Sequence, residues 1–77
     1  MMVTIDSEKT AANLRELLGN RTQSWLAGEM GVSRETVKEW MHGRNVPTLL
    51  STVNLCEVFC CEVEDIIATK VCRRAEE

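Results

Sequence analysis

The stretch Thr22-Gln23-Ser24-Trp25-Leu26-Ala27-Gly28-Glu29-Met30-Gly31-Val32-Ser33-Arg34-Glu35-Thr36-Val37-Lys38-Glu39-Trp40 decides the reading of this chain. Thr22 is a helix-start residue, and Leu26, Ala27 and Met30 follow it at helical spacing until Gly31 ends the segment. After Val32, Ser33 caps a second segment that runs to His42, carries Val37, Trp40 and Met41, and is closed by Gly43. Two short helices separated by a Gly-containing turn can cross at a steep angle only if the residues at the crossing are small. Ala27 supplies the small side chain, and Gly31 opens the turn where a left-handed backbone costs least.

Outward from this pair, Asp6 or Ser7 caps an earlier helix in which Ala11, Leu14, Leu17 and Leu18 share one face, and Gly19-Asn20 stops it. Pro47-Thr48 marks the start of a fourth helix, where Leu49, Val53, Cys56 and Phe59 are expected to form a core stripe. A short fifth helix follows, with Val63, Ile66 and Ile67 inward and Glu64 and Asp65 in its first turn, where carboxylates complement the helix dipole. Val3 to Ile5 and Ala68 to Val71 alternate in a way that fits two short paired strands or loose termini. The expected architecture is all-α: a five-helix bundle over residues 1–77, with its core at about residues 8–67.

A chain of 77 residues holds one small core, which excludes an enzyme with separate cofactor and substrate lobes. Hydrophobic residues at 44% and charged residues at 27% are ordinary globular composition. The longest uncharged stretch, Val46 to Cys56, is far short of the roughly 20 apolar residues a bilayer span needs. The acidic start, Met1 to Lys9, lacks an apolar signal core, so the expected compartment is the cytoplasm, where thiols stay reduced. Cys56, Cys60, Cys61 and Cys72 suit neither a disulfide framework nor paired zinc clips. Cys56 and Cys60 could chelate a metal with His42, but the favoured reading is small buried hydrophobes, with no metal and no other cofactor. A sole His42, clustered thiols and the lack of a Gly-rich phosphate loop leave no nucleophile, base or small-molecule substrate cradle, so an enzyme is not expected.

Gln23, Leu26-Ala27, Gly31-Val32-Ser33, Val37, Trp40, Gly43 and Pro47 together resemble the helix-turn-helix of the lambda-repressor-like (Cro and repressor type, XRE) family, over about Glu8 to Ile67. The resemblance implies a five-helix DNA-binding domain whose third helix, Ser33 to His42, lies in the major groove while the second bridges the backbone. With Val37 and Trp40 inward, Arg34, Glu35 and Lys38 point outward as candidate base readers, with Thr36 and Glu39 at the edge. Arg34 is the strongest of these, since a guanidinium can donate two bonds to guanine. The family's phosphate contacts fall here on Thr22, Gln23, Arg44, Asn45 and Thr48. Arg21 and His42 add charge nearby, and Ser33 offers a helix start.

The implied function is a repressor-type transcriptional regulator that binds double-stranded DNA as a homodimer on a near-palindromic operator. Net charge is −3, which pulls against this. The acid, however, concentrates elsewhere: between residues 21 and 46, Arg21, Arg34, Lys38 and Arg44 face only Glu29, Glu35 and Glu39. The alternative is a protein-interaction module, or an antitoxin-like partner-binding protein, reading its partner through Trp25, Glu35 and Glu39. Two departures from the family pattern stand out: Cys60 where a Gly or Asn commonly follows the fourth helix, and Glu62 where a Ser or Thr would cap the fifth.

Overall fold

Four short polar side chains set where the helices of this chain begin. In the computed structural model, which describes residues 2–72, the order is β1 (Met2–Ile5), α1 (Ser7–Leu18), α2 (Gln23–Met30), α3 (Arg34–Met41), α4 (Leu49–Phe59), α5 (Val63–Ile66) and β2 (Thr69–Cys72). Asp6 accepts from the Lys9 N–H, Thr22 from Trp25, Ser33 from Thr36 and Thr48 from Ser51, at 2.9–3.1 Å. Each bond satisfies one of the N–H groups that a helix start leaves without a partner, a contribution of about 1 kcal/mol. At α5 the Glu62 N–H donates instead to the Asp65 carboxylate at 2.9 Å, so the helix is closed from within without a Ser or Thr.

One core joins the helices. Leu14 and Leu18 of α1, Leu26 and Ala27 of α2, Val37, Trp40 and Met41 of α3, Leu55 of α4 and Ile66 of α5 are buried together. α1 packs on α3 and α5, α2 on α3 and α4, and α4 on α5. Polar ties run across the same seams. The Arg15 guanidinium donates to the Met41 carbonyl, and the Asn13 amide donates to the Ile66 carbonyl at 3.0 Å. Gly43, at φ 74°, presses its α-carbon against α1, where an added Cβ would stand 3.4 Å from the Ser7 carbonyl oxygen.

The termini do pair. β1 and β2 form an antiparallel ribbon in the register Met2↔Cys72, Val3↔Val71, Thr4↔Lys70, Ile5↔Thr69, one residue longer at the outer end of each strand than the alternation indicated. Its base is bolted to α1: the Asp6 N–H donates to the Ala68 carbonyl at 2.8 Å, and the buried Thr10 hydroxyl accepts from the Ala68 N–H at 3.0 Å.

Two expectations about inward faces need correction. The inward face of α4 is Thr52 and Leu55 with Cys56 and Phe59 partly covered, whereas Leu49 is 81% exposed and Val53 is also exposed. Pro47 is buried and Thr48 caps, which rotates the first turn of α4 so that Leu49 and Leu50 face outward. Thr52 takes the inward place because its hydroxyl donates to the Thr48 carbonyl at 2.8 Å and so carries no unpaired polar atom into the core. Val63 likewise lies exposed at the start of α5, leaving Ile66 buried and Ile67 partly covered. Thr10, unnoticed in the sequence, is buried as the receiver of the ribbon's N–H.

Cys60 adopts the left-handed conformation at φ 53° and ψ 52°, with its N–H on the Cys56 carbonyl, as the helix-end position requires. Conversely, Gly28 sits inside α2 with nothing within 4 Å of where a Cβ would be. The two exchanges Cys60→Gly and Gly28→Ala are each expected to stabilise the fold by about 0.5–1 kcal/mol, one by relieving left-handed strain and the other by raising helix propensity. Thermal unfolding followed by circular dichroism checks both, with the melting point rising by roughly 3–8 °C in each.

Candidate nucleic-acid interface

The α2–α3 joint fixes the orientation of everything on α3. Gly31 is left-handed at φ 69° and ψ 31°, and the Val32 N–H returns to the Ala27 carbonyl at 3.1 Å, so α2 ends within one residue of the turn. A side chain at that φ is strained, which is why Gly stands there. Ser33 then starts α3, its hydroxyl 3.0 Å from that of Thr36. With Val37, Trp40 and Met41 locked in the core, Arg34, Glu35 and Lys38 are exposed, Glu35 opposite that core face and Arg34 and Lys38 along its flank, one turn apart.

The remaining candidates divide by what they touch. Arg34 reaches across to α2, where its guanidinium donates to the Ser24 hydroxyl at 3.2 Å, leaving its other donors at the surface. This places the strongest base-reading candidate beside the start of α2, where Thr22 is exposed and Gln23 is half-buried. Thr36 is half-buried, with its hydroxyl in the Ser33 cap. His42 is exposed, its Nδ1 2.9 Å from the Lys38 carbonyl oxygen. Thr48 is exposed and caps α4.

Glu39 is occupied elsewhere. Its backbone carbonyl accepts from the Arg44 N–H at 3.0 Å and the Asn45 N–H at 3.4 Å, and its carboxylate accepts from the Asn45 amide at 3.3 Å. The same carboxylate pairs with the Arg44 guanidinium at 3.5 Å. An exposed pair of this kind contributes about 0–1 kcal/mol, but the set as a whole shapes the loop after α3 and holds Arg44 and Asn45 outward. Glu39 therefore acts on the loop and does not stand free at the edge of the α3 face.

Arg21 and Trp25 also have internal partners. The Arg21 guanidinium donates to the Leu18 carbonyl at 3.1 Å and the Leu17 carbonyl at 2.8 Å, closing the end of α1. It lies 4.5 Å from the centre of the Trp25 ring and 5.3 Å from that of Phe59, and the two rings stand 6.5 Å apart, tilted by 48°. Trp25 thus packs between Arg21 and Phe59 of α4. The sequence hint was present in hindsight, because a cation three to four residues before an aromatic at a helix start is placed to stack on it.

No protein-family model matches the chain, and neither a curated protein nor a solved structure matches it significantly.

Among the described residues no group of three or more His, Cys, Asp and Glu side chains is placed to hold a metal. Cys56 and Cys61 are partly buried, while Cys60 and Cys72 are exposed. Burial, followed by the nearby Cys56 and Asp65, pushes the Cys61 thiol up from 9.0 to about 11. The folded state thus holds this proton more tightly than the unfolded one. Its contribution to stability is complete below pH 9 and is lost as pH rises through about 11. At pH 8 iodoacetamide is expected to alkylate the exposed Cys60 and Cys72 well before the partly buried Cys61, whose raised pKa keeps it protonated. Peptide mapping over a pH series checks the order; comparable rates at Cys60 and Cys61 would contradict it.

Proposed function

We propose that this chain is a repressor-type, lambda-repressor-like (XRE) helix-turn-helix regulator that binds double-stranded DNA, with α3 in the major groove and α2 across the backbone. The observation that carries the reading is the exposed flank of α3: Arg34 and Lys38, one turn apart, stand out beside the face whose Val37, Trp40 and Met41 are buried. On this reading Arg34 donates to the O6 and N7 of a guanine, Lys38 reads or neutralises one turn further along, and Glu35 between them accepts from a cytosine amino group.

Phosphate positions follow from the caps. The capped starts of α2 and α4 point N–H groups and the positive end of the helix dipole outward, and the loop shaped by Glu39 presents Arg44 and Asn45 between them. Arg21, with two carbonyls and two rings as partners, serves mainly to close α1 and adds only field at the surface.

The protein-interaction reading drew on Trp25, Glu35 and Glu39. Trp25 is packed on Phe59 and Arg21 and Glu39 is tied to its own loop, so that reading is left with Glu35 alone, which favours DNA. A half-site of a few base pairs gives one copy little affinity, so the proposed active form is a homodimer on a near-palindrome whose half-sites lie about 34–36 Å apart, or a multiple of that.

Fluorescence anisotropy against the DNA upstream of its own gene, at several salt concentrations, tests this. Arg34→Ala is expected to cost about 1–3 kcal/mol on the operator and little on unrelated DNA. Arg44→Ala should weaken both alike and lower the slope of log K against log salt by about 1. No binding at low salt, or equal loss on all sequences from Arg34→Ala, would sink the assignment.

A further inference from the structure

The cysteines around the end of α4 take no part in the α2–α3 face, and the turn there brings two of them together. Cys60 is left-handed, and the Cys61 N–H runs back to the Cys56 carbonyl at 3.0 Å, which is the long backbone bond of a Schellman motif. In that motif the side chains of the two bonded residues meet. Here both are cysteines, partly buried against the common core.

Reach follows from the backbone. A Cα lies roughly 2.4 Å from its own carbonyl oxygen and about 1.5 Å from its own nitrogen, so a 3.0 Å bond between these atoms keeps the two Cα atoms within about 7 Å, the limit for a disulfide. The Cys56 thiol accordingly stands within hydrogen-bonding reach of the Cys61 thiol.

We infer that Cys56 and Cys61 are a dithiol site that a small-molecule disulfide of the glutathione class closes into a reversible intramolecular disulfide. The Cys56 thiol gives its proton to solvent, and its sulfur attacks one sulfur of the oxidant R–S–S–R, breaking that bond and releasing RS⁻. Cys61, whose proton is held tightly by burial, then deprotonates and attacks the Cys56 sulfur of the mixed disulfide, and a second RS⁻ leaves. Two protein thiols are oxidised and one R–S–S–R is reduced. The two protons end on the two RSH released.

The other thiols lack this geometry. The Cys60 Sγ turns to the Glu57 carbonyl oxygen at 3.8 Å on the exposed side, and a bond from it to Cys61 would close a ring around a single planar peptide unit. Cys72 stands across from Met2 at the outer end of the ribbon. The loop that Cys56 and Cys61 close holds Phe59, which packs beside Trp25 and Arg21, so the bond fastens α4 where it meets the start of α2. Its formation is independent of whether the chain binds DNA.

The full chain carrying Cys60→Ser/Cys72→Ser keeps only the two thiols in question, and both exchanges fall at exposed positions. Equilibrated with reduced and oxidised glutathione and quenched with acid, it is expected to lose the mass of two hydrogen atoms. Cleavage after Glu57 should then leave the two halves joined until a reductant is added. Closure should be favoured at least about tenfold over closure in concentrated urea, so the oxidised form melts roughly 6–11 °C above the reduced one.

Addition of glutathione without ring closure overturns the inference, as does closure no more favourable in the folded chain than in urea. A Cys61→Ala chain, with Cys60 and Cys72 in place, that closes as readily as the wild type overturns it too.

Discussion

The short joint between α2 and α3 constrains everything else. Left-handed Gly31 lets α2 stop at Met30, the Val32 N–H returns to the Ala27 carbonyl, and the Ser33 hydroxyl starts α3 at once. Because so few residues intervene, the rotation of α3 about its axis is fixed by α2. Burial of Leu26 and Ala27 on one side and of Val37, Trp40 and Met41 on the other leaves a single solution. The outward position of Arg34, Glu35 and Lys38 is thus a consequence of how the core face of the same helix is packed. A slip of one residue would carry Val37 toward solvent, at a cost of about 1.5–3 kcal/mol.

Local chemistry was legible in the sequence, and tertiary allocation was not. Thr22, Ser33 and Thr48 cap where they were read to cap, and Cys60 carries the left-handed turn its position demanded, because each depends on a few neighbouring residues. The face of α4 was misread because apolar residues surround that helix: Leu49, Leu50, Val53, Leu55, Cys56, Val58 and Phe59 leave no one stripe dominant. Only the buried Pro47 and the satisfied hydroxyl of Thr52 settle the rotation, and neither is visible to a count of apolar spacing.

The charged residues show the same division. Spacing alone puts Glu39 near the edge of the α3 face and Arg21 beside the start of α2. It does not reveal that Glu39 receives Arg44 and Asn45, or that the Leu17 and Leu18 carbonyls and two aromatic rings receive Arg21. Both assignments reduce free charge at the proposed DNA face, but unequally. Glu39 and Arg44 offset each other, which leaves the formal balance unchanged, while Arg34 and Lys38 remain exposed.

On the proposed reading the weakness of each part has a physical use. A face with Arg34 and Lys38 against Glu35, and with Arg44 paired to Glu39, neutralises few phosphates, so one copy binds DNA loosely and with a shallow salt dependence. One copy alone gives little occupancy, but on a near-palindrome adjacent half-sites raise the effective concentration of a second. Binding then rises steeply with the amount of protein over the range in which the free chain is mainly monomeric. That concentration dependence follows from charge and from the pairing of adjacent half-sites.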